Sequence, residues 1–206
     1  ECGTLGMVGD GASPKKYLIG LEAIKNHGGL GIPIFKPREF NLDIIKRFKA
    51  AEDAGALAVG VDIDAASFKT MSLKGQAVGP KTIDELQELK SYLKVPFILK
   101  GIMNMESALS AVEAGADAIV VSNHGGRVMD HMPGTAEVLP EIASAIAGCI
   151  KVLVDGGIRE GIDIIKMLAL GADAVMIGRP ICIAAFGAGQ EGVSFYLQEK
   201  VKELKK

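Results

Sequence analysis

Two stretches decide the fold: Lys151-Val152-Leu153-Val154-Asp155-Gly156-Gly157-Ile158-Arg159 and Ala174-Val175-Met176-Ile177-Gly178-Arg179. Each is a short apolar run that reads as a strand and then breaks on glycine beside an arginine. Glycine lets backbone N–H groups approach an anion closely, and Arg159 and Arg179 add guanidinium forks, so the two ends read as one phosphate cradle. In an eight-stranded parallel barrel the phosphate site lies in the loops after strands 7 and 8, which is where these two ends would then belong.

Working backwards, further strands are expected at Thr4–Val8, Ile32–Phe35, Leu57–Ile63, Pro96–Gly101 and Ala118–Ser122, besides Lys151–Asp155 and Ala174–Ile177. Their near-continuous apolar character suits a parallel sheet covered on both faces. Amphipathic helical spacing fills the intervals at Asp43–Ala54, Thr82–Leu93, Met105–Ala114, Thr135–Ala147 and Gly161–Leu170. A Gly-Ala step recurs in Ala54-Gly55-Ala56, Ala114-Gly115-Ala116 and Leu170-Gly171-Ala172, each time ending a helix, where glycine serves as a left-handed cap. Seven βα units leave a doubly wound open sheet or a barrel. The doubly wound sheet would carry its glycine loop after the first strand, and Gly9-Asp10-Gly11-Ala12 is a weak version of one. The expected class is therefore α/β, a (β/α)8 TIM barrel in which Thr4–Val8 is strand 2, strand 1 and its helix are lacking, and residues 1–206 form one domain. The opening Glu1-Cys2-Gly3, with no initiator Met, reads as a trimmed start.

Composition narrows the function. The 206 residues are 49% hydrophobic and 23% charged, and 23 Lys+Arg against 25 Asp+Glu give a net charge of −2. No basic surplus recruits nucleic acid, and no apolar run approaches the roughly 20 residues of a membrane span. Three widely spaced cysteines, Cys2, Cys149 and Cys182, support neither a disulfide framework nor a zinc site, which fits a reducing cytoplasm.

Several residues at strand ends can carry chemistry. His124, in Ser122-Asn123-His124-Gly125-Gly126-Arg127, stands where a strand ends and is placed for general-base work; the plainer account is a histidine that bonds its own loop. Arg127 can hold a carboxylate. Asp62 and Asp64 share parity at one strand end, either as the start of a solvated loop or as a carboxylate that orients the histidine. Lys100 is a lone cation after Phe97-Ile98-Leu99 and must reach an anion or solvent. His27 reads as a cation at a helix C-terminus, His131 lacks a metal-ligand pattern, the eight methionines read as core filler, and Gln198–Lys206 reads as a solvated helix end. No metal site is expected.

Taken in order, Leu99-Lys100-Gly101, Val121–Arg127, Val154–Arg159 and Ile177-Gly178-Arg179-Pro180 closely resemble the FMN-dependent α-hydroxy-acid dehydrogenases and oxidases, the family of glycolate oxidase and lactate oxidase. The resemblance is tight from about Pro96 to Gly192 and looser from Gly31 to Lys69. It implies FMN as cofactor and oxidation of a small 2-hydroxy acid to a 2-oxo acid, with His124 taking the proton and Asp62 hydrogen-bonded to it. It further implies that Arg127 binds the substrate carboxylate. Lys100 would then sit at the flavin N1/O2 edge with Ser122 nearby, Asp155 on the ribityl chain, and Gly156, Gly157, Arg159, Gly178 and Arg179 around the phosphate. Family members commonly form homo-oligomers. Type 2 isopentenyl diphosphate isomerase and inosine monophosphate dehydrogenase look similar around the phosphate loops, so a non-redox FMN enzyme of the isomerase kind is an alternative. An inactive barrel fragment that binds a phosphate ligand is another.

Departures fall on the substrate side. Aligning Lys36-Pro37-Arg38 with the family's Lys-x-Arg puts Gly31 in place of a flavin-binding Gln, Pro33 in place of a substrate-binding Tyr, and Gly60 in place of a flavin-contacting Thr. Lys69 falls at the second carboxylate-binding Arg, which makes it the expected second cation, acting as a point charge or else remaining a loop lysine.

Overall fold

The computed structural model describes residues 2–205, the side chain of Pro14 excepted. Glu1, of the opening Glu1-Cys2-Gly3, and Lys206, of the Gln198–Lys206 run, lie outside the described residues. The chain alternates β1 (Gly6–Gly9), α1 (Pro14–Asn26), β2 (Gly31–Phe35), α2 (Asn41–Asp53) and β3 (Val59–Asp62). A 3-10 turn (Ile63–Ser67), the short α3 (Lys69–Ser72) and α4 (Ile83–Ser91) lead to β4 (Phe97–Ile102), α5 (Met105–Glu113) and β5 (Ala118–Val121). Then come α6 (Thr135–Ala145), β6 (Lys151–Val154), α7 (Gly161–Ala169), β7 (Ala174–Val175) and α8 (Arg179–Leu204). All seven strands are parallel and lie in chain order, β1 beside β2 through to β6 beside β7.

Strand parity separates two cores. Outward residues such as Phe35, Val59, Val61, Phe97, Leu99, Ile119 and Val121 meet the helices through Ile44, Phe48, Leu89, Ala108, Leu139 and Ile142. An aromatic row, Tyr17, Phe35, Phe48 and Phe97, runs through this layer with ring centroids 5.9–6.1 Å apart. Inward residues Ile32, Ile34, Ala58, Ile98, Ala118 and Val120 form a second cluster. Met7 of β1 and Met176, just past β7, both pack on that cluster, so the apolar inner face is continuous from one edge of the curled sheet to the other. The architecture is α/β, seven βα units of a (β/α)8 barrel.

The helix-ending glycine step is followed twice by aspartate, and the aspartates tie the sheet. Asp117 accepts from the backbone N–H of Phe97 at 2.7 Å and pairs with Lys90, while Asp173 accepts from the N–H of Val152 at 2.8 Å and pairs with Lys151. Each carboxylate thus satisfies a backbone donor at the start of the preceding strand. Among the expected elements that differ in extent are the last strand and the terminal helix. Ala174–Ile177 pairs over two residues only, because β7 has a neighbour on one side alone among the described residues. The terminal helix begins at Arg179, long before Gln198, and bends where Gly189 takes φ +56°. His27 is the C-cap of α1, and its ring Nδ1 bonds the carbonyl of Ala23 at 2.8 Å. Gly9-Asp10-Gly11 is not a phosphate loop: Asp10 is buried, pairs with Arg38 at 2.6 Å and accepts from the backbone N–H of Lys36.

Candidate active site

Period two places the site. Inward-facing Ile34, Gly60, Ile98, Val120 and Leu153 are each followed two residues later by a polar group, Lys36, Asp62, Lys100, Ser122 and Asp155. Successive side chains alternate faces, so all five groups come up on the inner side at the C-terminal rim of the sheet. Gly60 keeps this ring tight. A Cβ there would lie 2.6 Å from Ile34 Cδ1 and 2.7 Å from the carbonyl oxygen of Ile98, so Ile34 fills the space that a threonine would need.

Buried charges need partners, and the ring supplies them internally. Asp62 pairs with Lys36 through Oδ2 and with Lys100 through Oδ1 at 3.3 Å. Lys100 also donates to Ser122 Oγ at 3.0 Å and lies 3.7 Å from Asp155 Oδ2. Burial works to raise the Asp62 carboxyl, but Lys100, Lys36 and His124 outweigh it and hold the group below the ordinary carboxylate value. For Lys100 burial works downward, and the Asp62, Asp155 and Asp64 charges carry the ammonium above its ordinary value.

His124 sits at the rim with φ +57°, and its backbone N–H donates to Ser122 Oγ at 3.1 Å. Its ring lies against Phe68, with centroids 4.9 Å apart, and Phe68 also faces Lys36 and the guanidinium of Arg127. Nδ1 is 2.9 Å and 3.2 Å from the two oxygens of Asp64. Asp62, the expected partner, is at 3.5 Å with both oxygens already engaged by lysines, so the hydrogen bond to His124 belongs to Asp64.

A cavity of about 190 Å3 opens above this ring, lined by Lys100, His124, Gly125, Arg127, Asp155, Gly156, Gly157, Ile158, Arg159, Met176, Gly178 and Arg179. The structure thus gathers nine expected site residues around one space. A larger cleft of about 730 Å3 lies outside it along α6 and α7, sharing Gly125, Gly156, Gly157, Ile158 and Arg179 with the cavity.

Three expected residues do not line the cavity. Asp62 lies beneath it as the counter-ion of the lysines. Ser122 is 0% exposed and props Lys100 and the His124 loop. Lys69 is exposed at the start of α3 and lines neither cavity, because the 3-10 turn brings Phe68, not Lys69, against His124. Lys36 and Phe68 also join the site without having been singled out in the sequence, and Asp64, which the sequence offered beside Asp62, is the carboxylate that meets His124. Lys36 obeys the same two-residue step as Lys100 and was open to detection; Phe68 and its turn carried no periodic signal.

Asp62, Asp64 and His124 each offer a ligand atom within 4.8 Å of the others, but the two lysines on Asp62 fill the place of a cation. A flavin phosphate and ribityl chain fit better. Asp155 Oδ1 is buried without a hydrogen-bond partner beside the cavity. A Cβ on Gly157 or Gly178 would meet no atom within 4 Å, which leaves backbone open to a ligand, and Arg159 and Arg179 flank it. This is an anion cradle with an unpaired acceptor and a fixed ammonium next to it.

A parallel barrel with an anion cradle and a histidine at its C-terminal rim is the arrangement of enzymes that hold a phosphate-bearing ligand, flavin-dependent oxidoreductases among them. The chain belongs to the FMN-dependent dehydrogenase family, whose description matches residues 65–206. It is 35% identical over 198 residues to the peroxisomal (S)-2-hydroxyacid oxidase GLO3 of Arabidopsis thaliana, covering 80% of this chain and 54% of the relative. Against an L-lactate oxidase of Nostoc sp. it is 51% identical over 123 residues, 60% of this chain and 34% of the relative. A solved structure of mandelate oxidase with (S)-2-phenylpropionate superposes with a TM-score of 0.83 at 34% identity, covering 99% of this chain and 64% of that one. The chain spans about half the length of the first of these curated relatives and a third of the second. FMN is the cofactor of the family, and among the described residues no helix is long and apolar enough to cross a membrane.

Proposed function

We propose that this chain carries the catalytic rim of an enzyme that oxidises a small 2-hydroxy acid to the 2-oxo acid with FMN as the electron acceptor. One observation supports it above the others: Lys100, His124, Arg127, Asp155, Arg159 and Arg179 line the same cavity. Bound FMN supplies a sink for the two electrons that leave the substrate carbinol. His124 Nε2, the ring nitrogen that Asp64 does not engage, takes a proton from the substrate. Arg127 holds the substrate carboxylate with its guanidinium fork, and its stacking on Phe68 restricts where that fork can point. Lys100 keeps a positive charge at the cavity wall, where it favours the anionic form of a reduced ring. Arg159, Arg179 and the glycine N–H groups hold the phosphate.

The reading includes self-association, supported by exposed Ile183 and Phe186 on α8, and a reducing cytoplasmic setting, supported by three free cysteines. No observation favours the isomerase or the inactive fragment. The test is an anaerobic absorbance spectrum of the FMN-loaded protein during addition of a panel of 2-hydroxy acids. Bleaching of the flavin band by at least one acid, lost in His124→Gln, is the expected result. A yellow protein that no acid bleaches overturns the assignment.

A further inference from the structure

The two carboxylates at the end of β3 divide the work around His124, and their hydrogen bonds show how. Asp62 is fully engaged by Lys36 and Lys100, so it serves as the counter-ion of two buried ammonium groups. Asp64 has a single hydrogen-bond partner among the described residues, the ring of His124, and presents both oxygens to Nδ1 at 2.9 Å and 3.2 Å.

The backbone is shaped to hold Asp64 there. The strand register shifts between Lys100 and Ile102, and Gly101 adopts φ +101° at that bulge. A Cβ on Gly101 would lie 2.6 Å from both Cβ and Cγ of Asp64, so only glycine lets the aspartate approach. On the other side Phe68 covers the imidazole face, and Ser122 holds the backbone of His124. The ring is therefore held at its face, its backbone and Nδ1, which leaves Nε2 for the cavity.

We infer that Asp64, not Asp62, is the positioning residue that fixes the orientation and tautomer of His124. An ionised carboxylate only accepts hydrogen bonds, so Nδ1 carries the ring proton and Nε2 presents its lone pair to the substrate. Once Nε2 takes a proton, the imidazolium lies against Asp64, a carboxylate with no other cation in hydrogen-bond reach among the described residues. Burial, with the neighbouring Asp62 charge, raises the Asp64 carboxyl despite the His124 hydrogen bond, in keeping with an acid that lacks a lysine of its own.

This inference rests on His124 as the base, and the test separates the two. The chain has three histidines, so 15N-labelled His124 can be assigned by comparison with His124→Gln, and its tautomer read near neutral pH without any cofactor. The expected tautomer is Nδ1–H in the wild type and in Asp62→Asn. In Asp64→Ala the Nδ1 proton loses its acceptor and Nε2–H becomes the major form. Asp64→Asn, an isostere in case the alanine variant does not fold, gives a mixture, because an amide can accept or donate. In the FMN-loaded enzyme Asp64→Ala lowers kcat by about 10^2–10^4-fold, the typical worth of general-base catalysis, with a much smaller change in KM. A wild-type Nε2–H tautomer, or an Asp64→Ala variant that keeps Nδ1–H, overturns the inference. Undiminished turnover in His124→Gln would instead remove the base assignment and leave the tautomer result standing.

Discussion

At the scale of single residues the site is a problem of buried charge. Taking an ammonium group out of water costs several kcal/mol, and Lys36 and Lys100 are both buried at the sheet rim. Asp62 offsets that cost for both, and the sign of its shift gives a pH signature. Its native value is lowered, so as pH falls the unfolded chain takes up the proton first. The Asp62 contribution is complete above the ordinary value of 3.8 and is lost as pH falls through the lower native value. Asp64 works in the opposite sense: its raised value makes the native state the better proton binder, so its contribution declines as pH rises past 3.8. Asp62→Asn is expected to lose about 3–5 kcal/mol at neutral pH, because two buried lysines lose their shared partner. The deficit relative to wild type should shrink below the ordinary carboxylate range, where wild-type Asp62 is itself neutralised. Urea midpoints measured from acid to neutral pH check this; a deficit that stays constant across the range would show that Asp62 acts through shape and not through charge.

At the scale of elements, the β4 bulge links the sheet to the site. Gly101→Ala meets two penalties: an unfavourable positive φ, and a Cβ pressed against Asp64. Together these are expected to destabilise the protein by about 2–5 kcal/mol. The same variant pushes Asp64 off His124, so turnover should fall in the folded fraction as well. Retained stability with full activity in a denaturant and turnover series would mean that the strand absorbs the extra carbon by shifting its register. This junction also marks how far sequence alone could go. The seven strands were readable because each is an apolar run of parallel-sheet type, and Lys100, His124 and the two glycine ends stand at their termini. The Asp64–His124 pair was not decided by parity, because the strand stops at Asp62 and the chain enters a 3-10 turn whose period is three. The position aligned with a family arginine, Lys69, falls on the same turn, where a rotation of one residue decides whether Phe68 or Lys69 meets the histidine.

At the scale of the whole molecule, stability is unevenly spread, and the cofactor cradle lies on its weaker side. β2 to β5 are each paired on both sides, whereas β7 pairs with β6 over two residues only. Yet the loop after β7 carries Gly178 and Arg179, and α8 follows without a break. Elements with few pairings open at low free energy, so amides near 174–182 should exchange fastest within the sheet and its phosphate ends. A ligand that binds only the folded state stabilises it by about 2.7 kcal/mol at a hundredfold excess over Kd. If FMN occupies the cradle, that stabilisation must appear where the cradle opens locally. Hydrogen exchange with and without FMN should therefore slow by up to about a hundredfold at Gly156–Arg159 and 174–182, where local opening releases the ligand, and equally at core amides of β2 and β3 that exchange through global unfolding, while amides that exchange through local openings that keep FMN bound stay unchanged. No slowing at either glycine end, at an FMN concentration that saturates the yellow complex, would place the phosphate elsewhere and undo the cradle assignment.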